Sequence, residues 1–196
     1  LEPYLKNGLP DQAEDIFLYE GLERYLDLLL KWNAKTNLTA VRDEKGIVQR
    51  HFGESLFLVE HLPKFGTLLD FGSGAGFPGI PIQLKRPSAV VTLAESQMKK
   101  ASFLREAVRT LLLAAEVWDK RVEKMPAERV FDVVTMRAVD DMPAMLPLAA
   151  ARVRQGGTLA LMLGREETLL PEDFHWGDPI PVPLEGGVIR LGTKRG

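Results

Sequence analysis

The chain contains no cysteine. Disulfides, thiolate metal sites and a cysteine nucleophile are thereby excluded, and a reducing cytoplasm is the expected compartment. No apolar run approaches the roughly 20 residues of a membrane-spanning helix. The first residues, Leu1-Glu2-Pro3-Tyr4, supply neither the basic start nor the apolar stretch of a secretory leader, so none is expected there. Repeats and low-complexity segments are lacking too. Neither His51 nor His61 has a second His or Cys at i+3 or i+4, so no metal site is expected. Net charge is only −2, which as a whole does not mark a nucleic-acid binder. The distribution is uneven, however: residues 1–62 carry 7 basic and 11 acidic side chains, while 85–129 carry 10 and 6. One face can therefore be positive while the whole is not.

What is present fits one globular domain of 196 residues, or one domain with an appendage. At the front, Ile16, Leu18, Tyr19, Leu22, Tyr25, Leu26, Leu29 and Leu30 recur at helical spacing. They predict a helix over 11–31 with Asp11 as its cap. Residues 32–39 lack a period and read as a loop anchored by Trp32, which either packs in the core or stacks on a base. A second helix is expected over 43–62. From about Thr67 the pattern changes. Strand-like runs at 67–71, 90–95, 115–120, 130–136 and 158–163 alternate with helical stretches at 80–84, 97–112 and 142–153. The last of these has Pro143 in its first turn and Gly156-Gly157 beyond its end. Two final runs, 180–184 and 188–192, joined by Glu185-Gly186-Gly187, read as a hairpin. Such alternation predicts an α/β fold: a mostly parallel sheet with helices on both faces and a C-terminal antiparallel hairpin. The expected organisation is an N-terminal helical cap over 1–62 and a main domain over 63–196.

The stretch Asp70-Phe71-Gly72-Ser73-Gly74-Ala75-Gly76-Phe77-Pro78-Gly79 follows a short apolar run, and reads as strand end, glycine loop and helix start. Glycine serves where φ is positive or where backbone must approach a ligand. A helix behind such a loop presents free N–H groups. Ligands of open α/β sheets bind beyond the carboxyl ends of the strands. The first strand end supplies Asp70 and the loop. The second supplies Glu95-Ser96, 19 residues past Gly76, where an acid can accept from both hydroxyls of a ribose. The third leads to Arg121-Val122-Glu123. The fourth delivers Arg137, a positioning residue or the partner of Asp70, Asp140 or Asp141. Phe77-Pro78 forms a lip on the pocket. An acid on the loop repels a pyrophosphate and suits an ammonium. S-adenosylmethionine has an ammonium, a sulfonium, a ribose and no phosphate, so the residues favour a methyl donor over a dinucleotide. A nucleotide-dependent oxidoreductase and a non-catalytic RNA-binding scaffold stand as alternatives at this point.

Taken together, several motifs resemble the ribosomal RNA small subunit methyltransferase G family (glucose-inhibited division protein B). They are Asp-Phe-Gly-Ser-Gly-Ala-Gly-Phe-Pro-Gly-Ile-Pro at 70–81, Leu30-Lys31-Trp32-Asn33 with Thr36-Asn37-Leu38-Thr39, and Arg50-His51 with Glu54-Ser55-Leu56. Glu95-Ser96 with Lys99-Lys100, Arg121-Val122-Glu123, Arg137-Ala138 and Gly156-Gly157 extend the match over about residues 22–164. The resemblance implies a class I S-adenosylmethionine-dependent methyltransferase (Rossmann-like). It implies methyl transfer to N7 of a guanosine in the decoding-region loop of 16S ribosomal RNA, free or within the 30S subunit, by a cytoplasmic monomer. By position, Gly72, Phe77, Val122, Glu123 and Arg137 match the family's cofactor-binding set. Glu95 and Ser96 stand at the ribose end, and Asp70, Ser73 and Gly74 join through the loop. Arg137 is the candidate for positioning the guanine or closing over the cofactor. Lys31, Lys35, Arg42, Lys99, Lys100 and Arg105 are candidates for phosphate contacts. Two positions depart from the family's usual pattern: Glu54 stands where Asp is usual, and Leu163 precedes Gly164 where Lys is usual. Guanine N7 has an exposed lone pair and no proton, so its methylation needs alignment rather than a general base. The chain shows no evident catalytic dyad, and the place of an Asn/Asp-Pro-Pro-aromatic loop reads Met136-Arg137-Ala138-Val139.

Overall fold

Leu18, Leu22, Tyr25 and Leu29 form one buried stripe along the first helix, α1 (Ala13–Thr36). The computed structural model describes residues 13–164, 169–183 and 187–196; the cap expected at Asp11 and the Glu185-Gly186 part of the hairpin turn lie outside them. Helix α1 runs past its expected end to Thr36. The ring of Trp32 packs edge-on against Phe103 with 5.6 Å between centroids, and Thr36 Oγ1 donates to the Trp32 carbonyl at 2.7 Å. Packing of a half-buried aromatic thus carries the helix through a segment with no period of its own. Asn37, at φ +41°, ends it.

The helical stretch expected over 43–62 is there but is not uniform. Asp43 caps α2 (Glu44–Gly46) by accepting from the Gly46 N–H. A π-helical segment, Ile47–Gly53, follows and leads into α3 (Glu54–His61). The wider turn leaves Phe52 in the core, while its neighbour His51 stacks on Phe77 of the glycine loop.

Strands β1 (Thr67–Phe71), β2 (Val90–Ala94), β3 (Glu116–Trp118), β4 (Phe131–Arg137) and β5 (Val153–Leu163) form the parallel part of the sheet. Helices α4 (Gly79–Lys85), α5 (Met98–Thr110) and α6 (Met142–Ala151) connect them. Antiparallel strands β6 (Phe174–Trp176), β7 (Ile180–Pro181) and β8 (Val188–Lys194) close one edge, in the order β3-β2-β1-β4-β5-β8-β6 with β7 also on β8. The hairpin is therefore β7–β8. Strand β6, a three-residue run in a Pro- and Asp-rich stretch, gave no alternation to read. Gly156-Gly157 does not end a helix: α6 stops at Ala151, and both glycines lie inside β5, where its register with β4 shifts. A Cβ on Gly157 would come within 2.9 Å of the Asp132 and Arg154 carbonyls.

Alternation along the strands sorts the core into two faces. Leu68, Val91, Leu93 and Val133 join α1, α3, α4 and α5 in one cluster. Leu69, Phe71, Val134 and Met136 pack with Leu146 and Ala149 of α6 in the other. The N-terminal helices therefore share a core with the sheet. Strand order reverses direction between β1 and β4, and the crevice of a doubly wound sheet opens at that point. Among the described residues, no helix is long and apolar enough to cross a membrane.

At the opposite end of those two strands, Asp132 accepts from the Gly66 and Thr67 N–H groups, each at 2.8 Å, and pairs with Arg154 at 2.5 Å. Its partial burial would raise the carboxyl, but Arg154 and the Thr67 and Gly66 donors outweigh that and hold it near 2, against an ordinary 3.8. Stability from this carboxylate is complete above about pH 4 and is lost as pH falls through about 2. The difference in Tm between wild type and Asp132→Asn is expected to narrow steadily from pH 5 to pH 2. A constant gap would show that the latch is not charge-dependent.

Candidate functional site

The glycine loop leaves β1 at the crevice. Gly72, Gly74 and Gly76 take φ of +73°, +56° and +93°. At Gly76 space is lacking as well: a Cβ there would lie 2.5 Å from Ile80 Cδ1 and 2.6 Å from the Tyr25 hydroxyl. Most of the loop's donors are already engaged. The Ser73 N–H donates to the Ala94 carbonyl at 2.9 Å, and those of Gly76 and Phe77 donate to the Ser73 carbonyl at 2.7 and 3.1 Å. The Gly74 N–H donates to Glu95 Oε2 at 3.1 Å, and the Ile80 N–H to the Gly76 carbonyl at 2.8 Å. Pro78 and Pro81 have none to give. The free N–H groups expected at the helix start are thus not free.

Asp70 completes that set and corrects a second expectation. Its carboxylate does not face the cavity. It lies beneath the loop, fully buried, where Oδ1 accepts from Thr135 Oγ1 at 2.8 Å and Oδ2 from the Gly79 N–H at 3.1 Å. Asp70 and Thr135 are register partners on β1 and β4, so their side chains rise on the same face. Burial raises this carboxyl to about 6, and hydrogen bonds from Thr135, Ser73 and Gly79 with the charge of Arg137 keep it from rising further.

Above the loop lies a cavity of about 770 Å³. Nine of the residues singled out by sequence line it: Gly72, Ser73, Gly74, Phe77, Glu95, Ser96, Val122, Glu123 and Arg137. Lys100 joins them, whereas Lys31, Lys35 and Lys99 stand exposed away from it. Arg42 donates to Asn37 Oδ1 at 2.6 Å, and Arg105 is paired with Asp119. Sequence reasoning missed one whole wall, formed by residues 38–41 with Arg50 and His51. The Arg50-His51 pair was visible as part of a motif, but nothing in its spacing placed it across from a loop that lies more than 20 positions further on.

Arg137 binds that wall to the sheet. Its guanidinium pairs with Glu54 at 2.8 Å and donates to the Arg50 carbonyl at 3.0 Å, so its partner is none of Asp70, Asp140 and Asp141. Nη1 is buried and meets no acceptor among the described residues. His51 is stacked on Phe77, with centroids 4.6 Å apart, and its Nε2 lies 2.8 Å from Thr39 Oγ1. Burial, then the charges of Arg137 and Arg50, lower the imidazole to about 3, so it is neutral at any working pH. Behind Phe77, Tyr25 packs at 5.2 Å and donates its hydroxyl to the Ala75 carbonyl.

A family model described as rRNA small subunit methyltransferase G matches residues 18–169. A "Ribosomal RNA small subunit methyltransferase G" of Xanthomonas campestris pv. campestris (strain B100) is 43% identical over 190 residues, covering 93% of this chain and 89% of the relative. One from Chromobacterium violaceum is 39% identical over 189 residues, covering 93% and 90%. Among solved structures, M. jannaschii TYW2 in complex with AdoMet superposes with a TM-score of 0.60 at 14% identity, over 76% of this chain and 77% of that one. A putative O-methyltransferase from Klebsiella pneumoniae gives 0.60 at 13% identity, over 88% and 90%. These likenesses show the fold, that of class I S-adenosylmethionine-dependent methyltransferases.

The folded chain holds a proton on Asp70 up to about pH 6, whereas an ordinary aspartate releases it near 3.8. Folding therefore takes up a proton between those values, and stability falls as pH rises through that window. Relative to Asp70→Asn, wild type is expected to lose on the order of 3 kcal/mol between pH 4 and pH 7 in denaturant titrations. Parallel pH profiles for the two proteins would contradict this.

Proposed function

Because the chain belongs to the rRNA small subunit methyltransferase G family, it is an S-adenosylmethionine-dependent methyltransferase of 16S ribosomal RNA, and we propose that its acceptor is N7 of a single guanosine in the decoding-region loop. The observation that carries the reading is the state of the glycine loop. Its N–H groups at 73, 74, 76, 77, 79 and 80 are all engaged within the protein, so few remain of the converging donors that a pyrophosphate needs. A dinucleotide is disfavoured on that ground rather than by the charge of Asp70. A nucleoside without phosphate fits.

The residues around the cavity suit the two ends of such a ligand. Glu95 accepts from the Gly74 and Gln97 N–H groups and still has lone pairs for two ribose hydroxyls. Phe71, Ala94 and Val122 give an apolar wall for a purine, with Glu123 at its edge. Arg137 has a buried N–H without an acceptor, which suits a carboxylate. S-adenosylmethionine supplies the electrophilic methyl group when bound. The chain's own part is to hold donor and acceptor in line and exclude water. His51, neutral and stacked, is no general base, in keeping with an acceptor atom that has no proton to lose. Lys31, Lys35, Lys99 and Lys100 are proposed phosphate contacts, and Arg42 and Arg105 reach RNA only by leaving the partners described above.

Labelled S-adenosylmethionine is expected to methylate 16S RNA or 30S subunits at one guanosine, and borohydride–aniline treatment should then cleave the RNA there, as it does at 7-methylguanosine. Label that resists this cleavage would place the methyl elsewhere on the base. The maximal rate is expected to be flat from pH 7 to pH 9; a rise across that range would reveal a general base. Arg137→Ala removes the cation paired with the half-buried Glu54 and a proposed cofactor donor, and should lower kcat/KM by about 100-fold, or roughly 3 kcal/mol.

A further inference from the structure

Arg152 is a buried cation held entirely by main-chain carbonyls. It sits at the junction of α6 and β5. Its Nη2 donates to the carbonyls of Met125 at 2.8 Å and Val122 at 3.1 Å. Its Nη1 donates to that of Pro126 at 2.5 Å and, at the limit of the range, to that of Arg129 at 3.5 Å. Among the described residues none of these bonds goes to a carboxylate. Burying a guanidinium on dipoles alone is costly unless nearly every donor is matched, so the arrangement stands only if those carbonyls converge.

They converge because the loop between β3 and β4 folds into successive turns. The Lys124 N–H donates to the Arg121 carbonyl at 3.0 Å, that of Met125 to Val122 at 2.9 Å, and that of Arg129 to Pro126 at 3.0 Å. The same loop turns its other side to the cavity, where Val122 and Glu123 form part of the wall. Arg152 does not line the cavity. We propose that Arg152 is a positioning residue for cofactor binding: by gathering the carbonyls of residues 122–129 it sets Val122 and Glu123 at the distance that an adenosine needs. The proposal rests on the cofactor reading given above. No sequence motif announces it, since the residue reads as an ordinary helix-end arginine.

The test is calorimetry with the full chain against S-adenosylmethionine and 5′-methylthioadenosine, which share the adenosine and differ at the other end. Arg152→Met is expected to weaken both by about tenfold or more while the KM for 30S subunits stays unchanged. Arg152→Lys keeps the charge but not the planar fork, and should fall between. Lys194→Met serves as the control, because Lys194 holds the same junction from the other side, through the Ala150 and Val153 carbonyls, without touching the loop. It is expected to lower Tm and leave both affinities within twofold. If Arg152→Met does not fold, Arg152→Lys carries the test, and wild-type affinity in that variant overturns the proposal. So does an equal loss in Lys194→Met, or a loss confined to S-adenosylmethionine. A wild-type chain that binds neither ligand would overturn the cofactor reading itself, an outcome separate from any difference among variants.

Discussion

A carboxylate shut away from water holds the centre of this molecule together. Asp70 lies at the end of β1 and bonds sideways to Thr135 on β4 and forward to the first N–H of α4. Those three elements define the place where the sheet's winding reverses. Burying a charge there opposes folding, and its elevated proton affinity is the measure of that opposition. What is gained is geometry. Strand, loop and helix are fixed to one another by a group that can accept several bonds at once, and the floor of the cavity inherits their rigidity.

The same bond explains the loop's chemistry. A glycine loop followed by a helix invites comparison with phosphate-binding loops, which leave their N–H groups open. Here Asp70, Glu95, the Ala94 carbonyl and the loop's own carbonyls have taken those of residues 73, 74, 76, 77, 79 and 80. The loop serves as a close-fitting backbone surface and does not draw an anion. The polar side chains that face the cavity stand instead at the neighbouring strand ends, Glu95 and Arg137 among them.

Much of this was legible in the sequence, and the reasons for success and failure are physical. β-branched runs and glycine punctuation located the five parallel strands, because fully buried strands leave little else to read. Three-residue β6 and the π-helical Ile47–Gly53 were not legible: one is too short for a period, and the other mimics an ordinary helix in its apolar spacing. Asp70 reads in the sequence as an acid facing the ligand, and it lies beneath the loop. Period-2 alternation places it with Leu68, on the face that α4 covers, but which helix covers which face is a matter of topology rather than spacing. The place of Arg137 at a strand end is legible, and its partner is not. Asp70, Asp140 and Asp141 are near in sequence or at the same strand ends, while Glu54 arrives from a helix that precedes the sheet.

That last pairing bears on the order in which the molecule is assembled. Tyr25 reaches Ala75 across 50 positions, and Arg137 reaches the Arg50 carbonyl across 87. During synthesis, α1 to α3 emerge before the strands they cover, and they wait with an apolar face unpaired. Contacts of such long range are slow to close. The cavity has no complete set of walls until β4 has joined β1, so a ligand that touches every wall binds only the finished fold. Such a ligand stabilises the native chain by an amount set by its concentration relative to its Kd, and it gives no help to the helices that wait before the last strands arrive.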